Sequence, residues 1–130
     1  MGLSDNRVGA TIAVSDMDQA RGFYEGKLGL TPGGMEGPHG VLYQCGEGST
    51  LLVYHSPEHA GKATATVATW EVPDLDRTVD ELAANGVTFE RYEGFEGDER
   101  GIHPAGEDGA GRIAWFKDPE GNTIAVGQFD

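Results

Sequence analysis

The strongest constraint in this chain is an internal repeat. Residues 12–30, IAVSDMDQARGFYEGKLGL, return in outline as residues 70–87, WEVPDLDRTVDELAANGV. Each copy opens on a strand-like run that ends in Val-x-Asp-apolar-Asp. In the first these are Val14, Asp16, Met17 and Asp18; in the second, Val72, Asp74, Leu75 and Asp76. A helical pattern follows each and closes at a glycine, Gly29 or Gly86. The copies stand 58 residues apart at the valines and 57 at the glycines. A second echo keeps the same order: residues 47–53, EGSTLLV, return 73 residues later as EGNTIAV. One supersecondary unit used twice explains both echoes, because a single unit cannot bury its apolar face alone.

The rest of the chain can be read around those anchors. Residues 8–14 form a β-branched strand. Asp16 caps a helix whose apolar face is Met17, Ala20, Phe23, Tyr24 and Leu28, with Gln19 completing a capping-box pattern. Gly22 and Gly26 weaken that helix by about 1 kcal/mol each, so packing has to hold it. Short strands near 30–35, 41–45 and 50–54 are separated by Pro-Gly-Gly, Pro-His-Gly and Gly-Glu-Gly turns. A linker covers 56–65. Residues 66–72 form a strong strand, followed by a helix through Leu75, Val79, Leu82 and Ala83, capped by Asp74. Residues 87–92 are a further strand, and 112–117 with 123–128 make a hairpin across Asp118-Pro119-Glu120-Gly121-Asn122.

Charge and residue usage narrow the function. A net charge of −13 on 130 residues excludes nucleic acid and anionic membrane surfaces as partners, since both need a basic patch. No apolar run reaches the ~20 residues of a membrane span. The lone Cys45 forbids an internal disulfide and any cysteine-built zinc cluster. With no secretory signal pattern at MGLSDNR, the cytoplasm is the expected location.

Two stretches invite chemistry. Residues 93–110 are long, acidic and glycine-rich and carry His103, so they are either a lid over a pocket or a plain loop. The pair His55 and His59 has the spacing of a helical metal motif. Ser56-Pro57 starts any helix there after His55, which leaves these as linker histidines. No P-loop, dinucleotide fingerprint or nucleophile motif is present.

The order strand, helix, three strands, twice over, with Val-x-Asp-x-Asp entering each helix, Phe23-Tyr24 near the first helix end, Leu28-Gly29-Leu30 after it and Trp115-Phe116-Lys117-Asp118-Pro119-Glu120-Gly121-Asn122 near the C-terminus, resembles the vicinal oxygen chelate superfamily. That superfamily includes glyoxalases, extradiol dioxygenases and bleomycin resistance proteins. The resemblance implies an α+β fold: two βαβββ modules forming an open, barrel-like sheet around a cleft. It covers residues 1–130 as a single glyoxalase-like domain, with module one at about 7–55 and module two at about 66–130. It also implies a homodimer.

Metalloenzymes of that family place one ligand on the first strand and one on the last strand of each module. The matching positions here are Gly9, Leu52, Val67 and Ala125, none with a donor atom. No metal or other cofactor is therefore expected. Strand parity then lines the cleft with Thr11, Leu52, Tyr54, Val67, Thr69 and Ala125, with Trp115 and His103 at its mouth. The opposite parity, Ile12, Val14, Leu51, Val53, Trp70, Val72, Ile124 and Val126, makes the helix-packed layer, with each helix expected on its sheet's outer face. Two functions fit. One is a metal-free protein that sequesters a small organic molecule, cationic or aromatic, as resistance proteins do. The other is a lyase, isomerase or dioxygenase-like enzyme working by general acid–base chemistry through Glu71 and His103.

Overall fold

Each copy of the repeat forms one four-stranded sheet. The computed structural model describes residues 2–91, 98–105 and 111–129. The first sheet contains β1 (Gly9–Val14), β2 (Thr31–Gly37), β3 (Gly40–Gln44) and β4 (Thr50–His55), in the order β1-β4-β3-β2. The second contains β5 (Thr66–Glu71), β6 (His103–Ala105), β7 (Gly111–Lys117) and β8 (Thr123–Gln128), in the order β5-β8-β7-β6. In both, the first strand runs parallel to the last and the other pairs are antiparallel. The sheets stay open, and the architecture is the expected α+β pair of βαβββ modules.

Helix α1 (Met17–Arg21) and helix α2 (Leu75–Ala84) start as the repeat dictates. The Asp16 carboxylate accepts from the Gln19 amide at 3.0 Å, and the Asp74 carboxylate accepts from the Arg77 amide at 3.2 Å. After Arg21 the first helix widens into a π-helical turn over Gly22–Lys27, seen in the Leu28 amide donating to the Phe23 carbonyl. The wide turn holds the adjacent residues Phe23 and Tyr24 both buried, their rings 5.2 Å apart and nearly perpendicular.

The expected helix-packed parity matches burial: Ile12, Val14, Leu51, Val53, Ile124 and Val126 are core residues, with Trp70 and Val72 packed at its margin. The helices do not lie on two separate outer faces, however. Tyr24 packs on Tyr43 of β3 at 6.2 Å, while its hydroxyl donates to Asp118 at the end of β7 at 2.7 Å. Phe23 packs on Phe116 of β7 at 6.1 Å. One side-chain pair therefore touches the third strand of both sheets. The helix-bearing faces meet in one shared core, and the opposite faces turn away from it.

Two expected elements differ. Residues 87–91 do not form a strand: Phe89 makes an isolated bridge to Phe116 and the Glu90 amide donates to the Trp115 carbonyl, while residue 92 of the expected strand lies outside the described residues. His103, expected on a lid or loop, sits instead on β6 and is buried. Both segments pair along the same edge of β7, which an interrupted strand would otherwise leave with unpaired backbone groups. The rest of the expected lid, residues 93–97 and 106–110, lies outside the described residues.

A charge cluster ties this edge to α2. Asp76 accepts from Arg112 at 2.9 Å and from Arg100 at 2.5 Å. These bonds hold its carboxyl at a pKa of about 2, below the ordinary 3.8. A depressed folded value stabilises the fold above the unfolded pKa and is lost as the group protonates. Stability should therefore fall between about pH 4 and pH 2, and Asp76→Asn should flatten that limb in urea midpoints measured against pH.

Candidate functional site

The faces turned away from the core carry the residues expected to wall a cleft. On the first sheet, Thr11, Leu52 and Leu42 are register partners, flanked by the row Ala13, Tyr54 and Gly40. Leu52 and Tyr54 are half-buried and Thr11 is exposed. This surface is small and apolar, with one phenol at its end. On the second sheet, Thr69, Ala125 and Trp115 are partners, flanked by the row Glu71, Gly127, Ile113 and His103. Trp115 is half-buried, its ring 5.4 Å from the His103 ring. Its neighbour Phe116 points the other way, into the core against Phe23 and Phe89.

The structure brings these residues together as two half-walls on different sides of the chain. Val67 joins neither. The pairing of β5 with β8 slips between Thr66 and Ala68, and Val67 packs against the core. Glu71 and His103 lie at opposite ends of one row, three strand spacings or about 14 Å apart. Glu71 is exposed and His103 buried, so the two do not form an acid–base pair.

Sequence reasoning missed two features. The Phe129 ring lies over Gly127, where a Cβ would come within 2.3 Å of it. An aromatic at the chain end carries no pattern that announces this. The second is a cavity of about 730 Å³ at the seam where β1 meets β5. Val8, Ala10, Trp70, Val72, Cys45, Glu47 and Glu71 are among its walls. Of the expected site residues, Thr69 and Glu71 border it.

Residues 7–126 match the model of the Glyoxalase/Bleomycin resistance protein/Dioxygenase superfamily. The chain belongs to that superfamily. Solved structures of the same fold include a glyoxalase/bleomycin resistance protein from Catenulispora acidiphila DSM 44928. It is 28% identical at a TM-score of 0.69, over 95% of this chain and 98% of that one. TnmS3, an antibiotic binding protein from Streptomyces sp. CB03234, is 24% identical at a TM-score of 0.66, over 96% of each chain. A bleomycin-binding protein complexed with bleomycin is 21% identical at a TM-score of 0.68, over 96% and 99%. No curated protein sequence matches the chain.

The metal of the superfamily's enzymes does not fit this member. Gly9 and Ala125 carry no donor, and Leu52 and Val67 only hydrocarbon. A Cβ at Gly9 would lie 2.3 Å from the Thr50 hydroxyl, so any side chain there would first have to displace it. Among the described residues no group of three or more His, Cys, Asp or Glu side chains could hold a metal ion. His55 and His59 do not pair as ligands; the His59 Nδ1 is hydrogen-bonded to the Ser56 hydroxyl at 2.9 Å.

Proposed function

We propose that this superfamily member is a metal-free binding protein that holds a small organic molecule, cationic or aromatic, in a cleft assembled from two copies of the chain. The observation that carries the reading is the orientation of the half-walls. Leu52 with Tyr54, and Trp115 with Ala125, lie on faces that the shared core turns away from each other. A second copy supplies the missing half, and a symmetric pair then makes two equivalent clefts.

The wall chemistry supports a bulky occupant. Thr11, Ala13 and Thr69 leave room, while Tyr54 and Trp115 offer rigid aromatic surface. A net charge of −13 attracts cations over a longer range. That an antibiotic binding protein and a bleomycin-binding protein share this fold supports the reading. Among the described residues no helix is long and apolar enough to cross a membrane. The half-buried free thiol of Cys45 suits the reducing cytoplasm, where we place the protein.

Thermal denaturation of EDTA-treated protein with bleomycin and a panel of cationic aromatic antibiotics tests the reading. A ligand at 100 times its Kd stabilises by about 2.7 kcal/mol, which raises Tm by several degrees. A shift that appears only after adding zinc, nickel, iron or manganese contradicts it.

A further inference from the structure

The repeat that builds the two sheets also calls for two equivalent seams, and only one of them is latched. At the latched end the turn between β7 and β8 clasps the end of β1. The Glu120 carboxylate accepts from the Ser15 amide at 2.9 Å, from the Ser15 hydroxyl at 2.8 Å and from the Asp16 amide at 3.2 Å. The Asn122 side-chain amide donates to the Ala13 carbonyl at 3.0 Å. The equivalent turn before β4 has the same backbone closure: Cys45 to Ser49 at 2.8 Å matches Asp118 to Asn122 at 3.0 Å. Its side chains cannot make the latch. Pro73 stands where Ser15 stands and has no amide hydrogen. Ser49 replaces Asn122 and turns its hydroxyl back on the Gly46 carbonyl at 2.7 Å. Glu47, the counterpart of Glu120, is left without a side-chain partner among the described residues.

The cavity of about 730 Å³ opens at this unlatched end. We propose that it is a second ligand site, taking a small molecule with an aromatic body and a positive charge. Trp70 and Val72 line one side and Val8, an apolar residue 86% exposed, the other. Exposed apolar surface of this kind gains by being covered, and an indole face also attracts cations. Glu47 and Glu71 border the same space, and neither side chain has an ion-pair partner among the described residues. The volume falls within the ~300–1,000 Å³ of small-molecule pockets. The site shares Thr69 and Glu71 with the second half-wall of the cleft proposed above, and none of Leu52, Tyr54, Trp115 or Ala125.

Fluorescence titration with rhodamine 6G, a cationic aromatic dye, tests this, with anionic fluorescein as control. Wild type should bind the dye saturably and ignore fluorescein. In the Leu52→Arg background, which blocks the cleft, quenching should survive Trp115→Phe and vanish in Trp70→Phe, since Trp70 and Trp115 report on different sites. Glu47→Gln with Glu71→Gln, both exposed and safe for folding, should weaken binding at least tenfold. Pro73→Ser with Ser49→Asn, which restores the latch residues, should remove it, while Leu52→Arg should not. Loss of dye binding in Leu52→Arg, equal binding by the Gln double variant, or no saturable binding overturns the proposal. So does a Gln double variant that alters only self-association, because a second copy would then be the occupant.

Discussion

Leu51→Arg should leave the chain unfolded, while Leu52→Arg should leave it folded and unable to bind ligand in the cleft. The two residues are neighbours on β4 and differ only in the face they present. Leu51 is 2% exposed and packs in the shared core between the sheets. An arginine there buries an unpaired charge and loses a close-packed side chain, a change of about 4–5 kcal/mol or more against a total stability of about 5–15. Leu52 lies between Thr11 and Leu42 on the opposite face and is half-buried. Arginine at that position can run its stem along the sheet and keep its charge in water, at about 1 kcal/mol or less. Circular dichroism in urea separates the two outcomes. The reverse pattern would shift the strand parity by one residue and move every wall residue with it.

Asp118→Ala should be the most damaging polar substitution. Asp118 is 5% exposed, and both of its oxygens are engaged. One accepts from the Tyr24 hydroxyl at 2.7 Å and the Asn122 amide group at 2.9 Å. The other accepts from the backbone amides of Glu120 at 3.0 Å and Asn122 at 2.9 Å. Burial, and then this carboxylate, push the Tyr24 hydroxyl well above the usual phenol range, so it remains a donor across the working pH. Alanine strands that donor in the core and frees the turn, for an expected loss of about 3–5 kcal/mol and a Tm at least 10 °C lower. Tyr24→Phe removes one donor and leaves three, and should cost about 1–1.5 kcal/mol. A double-mutant cycle with the two changes isolates the bond between the modules.

The local rules were legible in the sequence. Asp16 and Asp74 cap their helices as the repeat requires, and strand alternation separates core residues from wall residues on β1 and β4; on β8 both parities are buried, the expected wall residue Ala125 included. What periodicity could not give is which apolar face meets which. Ile12 and Ile124 read as buried whether each helix covers its own sheet on the outside or both lie between the sheets. The contact of Tyr24 with Tyr43 and Asp118 decides that, and it joins residues on opposite modules with no sequence signal between them. Val67 escaped for a smaller reason, since one bulge at Thr66 and Ala68 breaks the alternation on which its assignment rested. His103 was misplaced because glycines on either side read as loop, while the exposed edge of β7 draws the backbone into pairing.

The central claim is a ligand cleft built from two copies, and mixing two defective variants tests it most directly. Leu52→Arg spoils the wall on the first sheet and Trp115→Ala the wall on the second, so neither homodimer should bind. In a mixed dimer one cleft receives both lesions and the other receives none. After exchange of equal amounts, about half of the dimers are mixed, and titration should recover about a quarter of the wild-type sites at wild-type affinity. Recovery of no sites from a mixture in which exchange is verified would mean that each cleft belongs to a single chain, and would contradict the account.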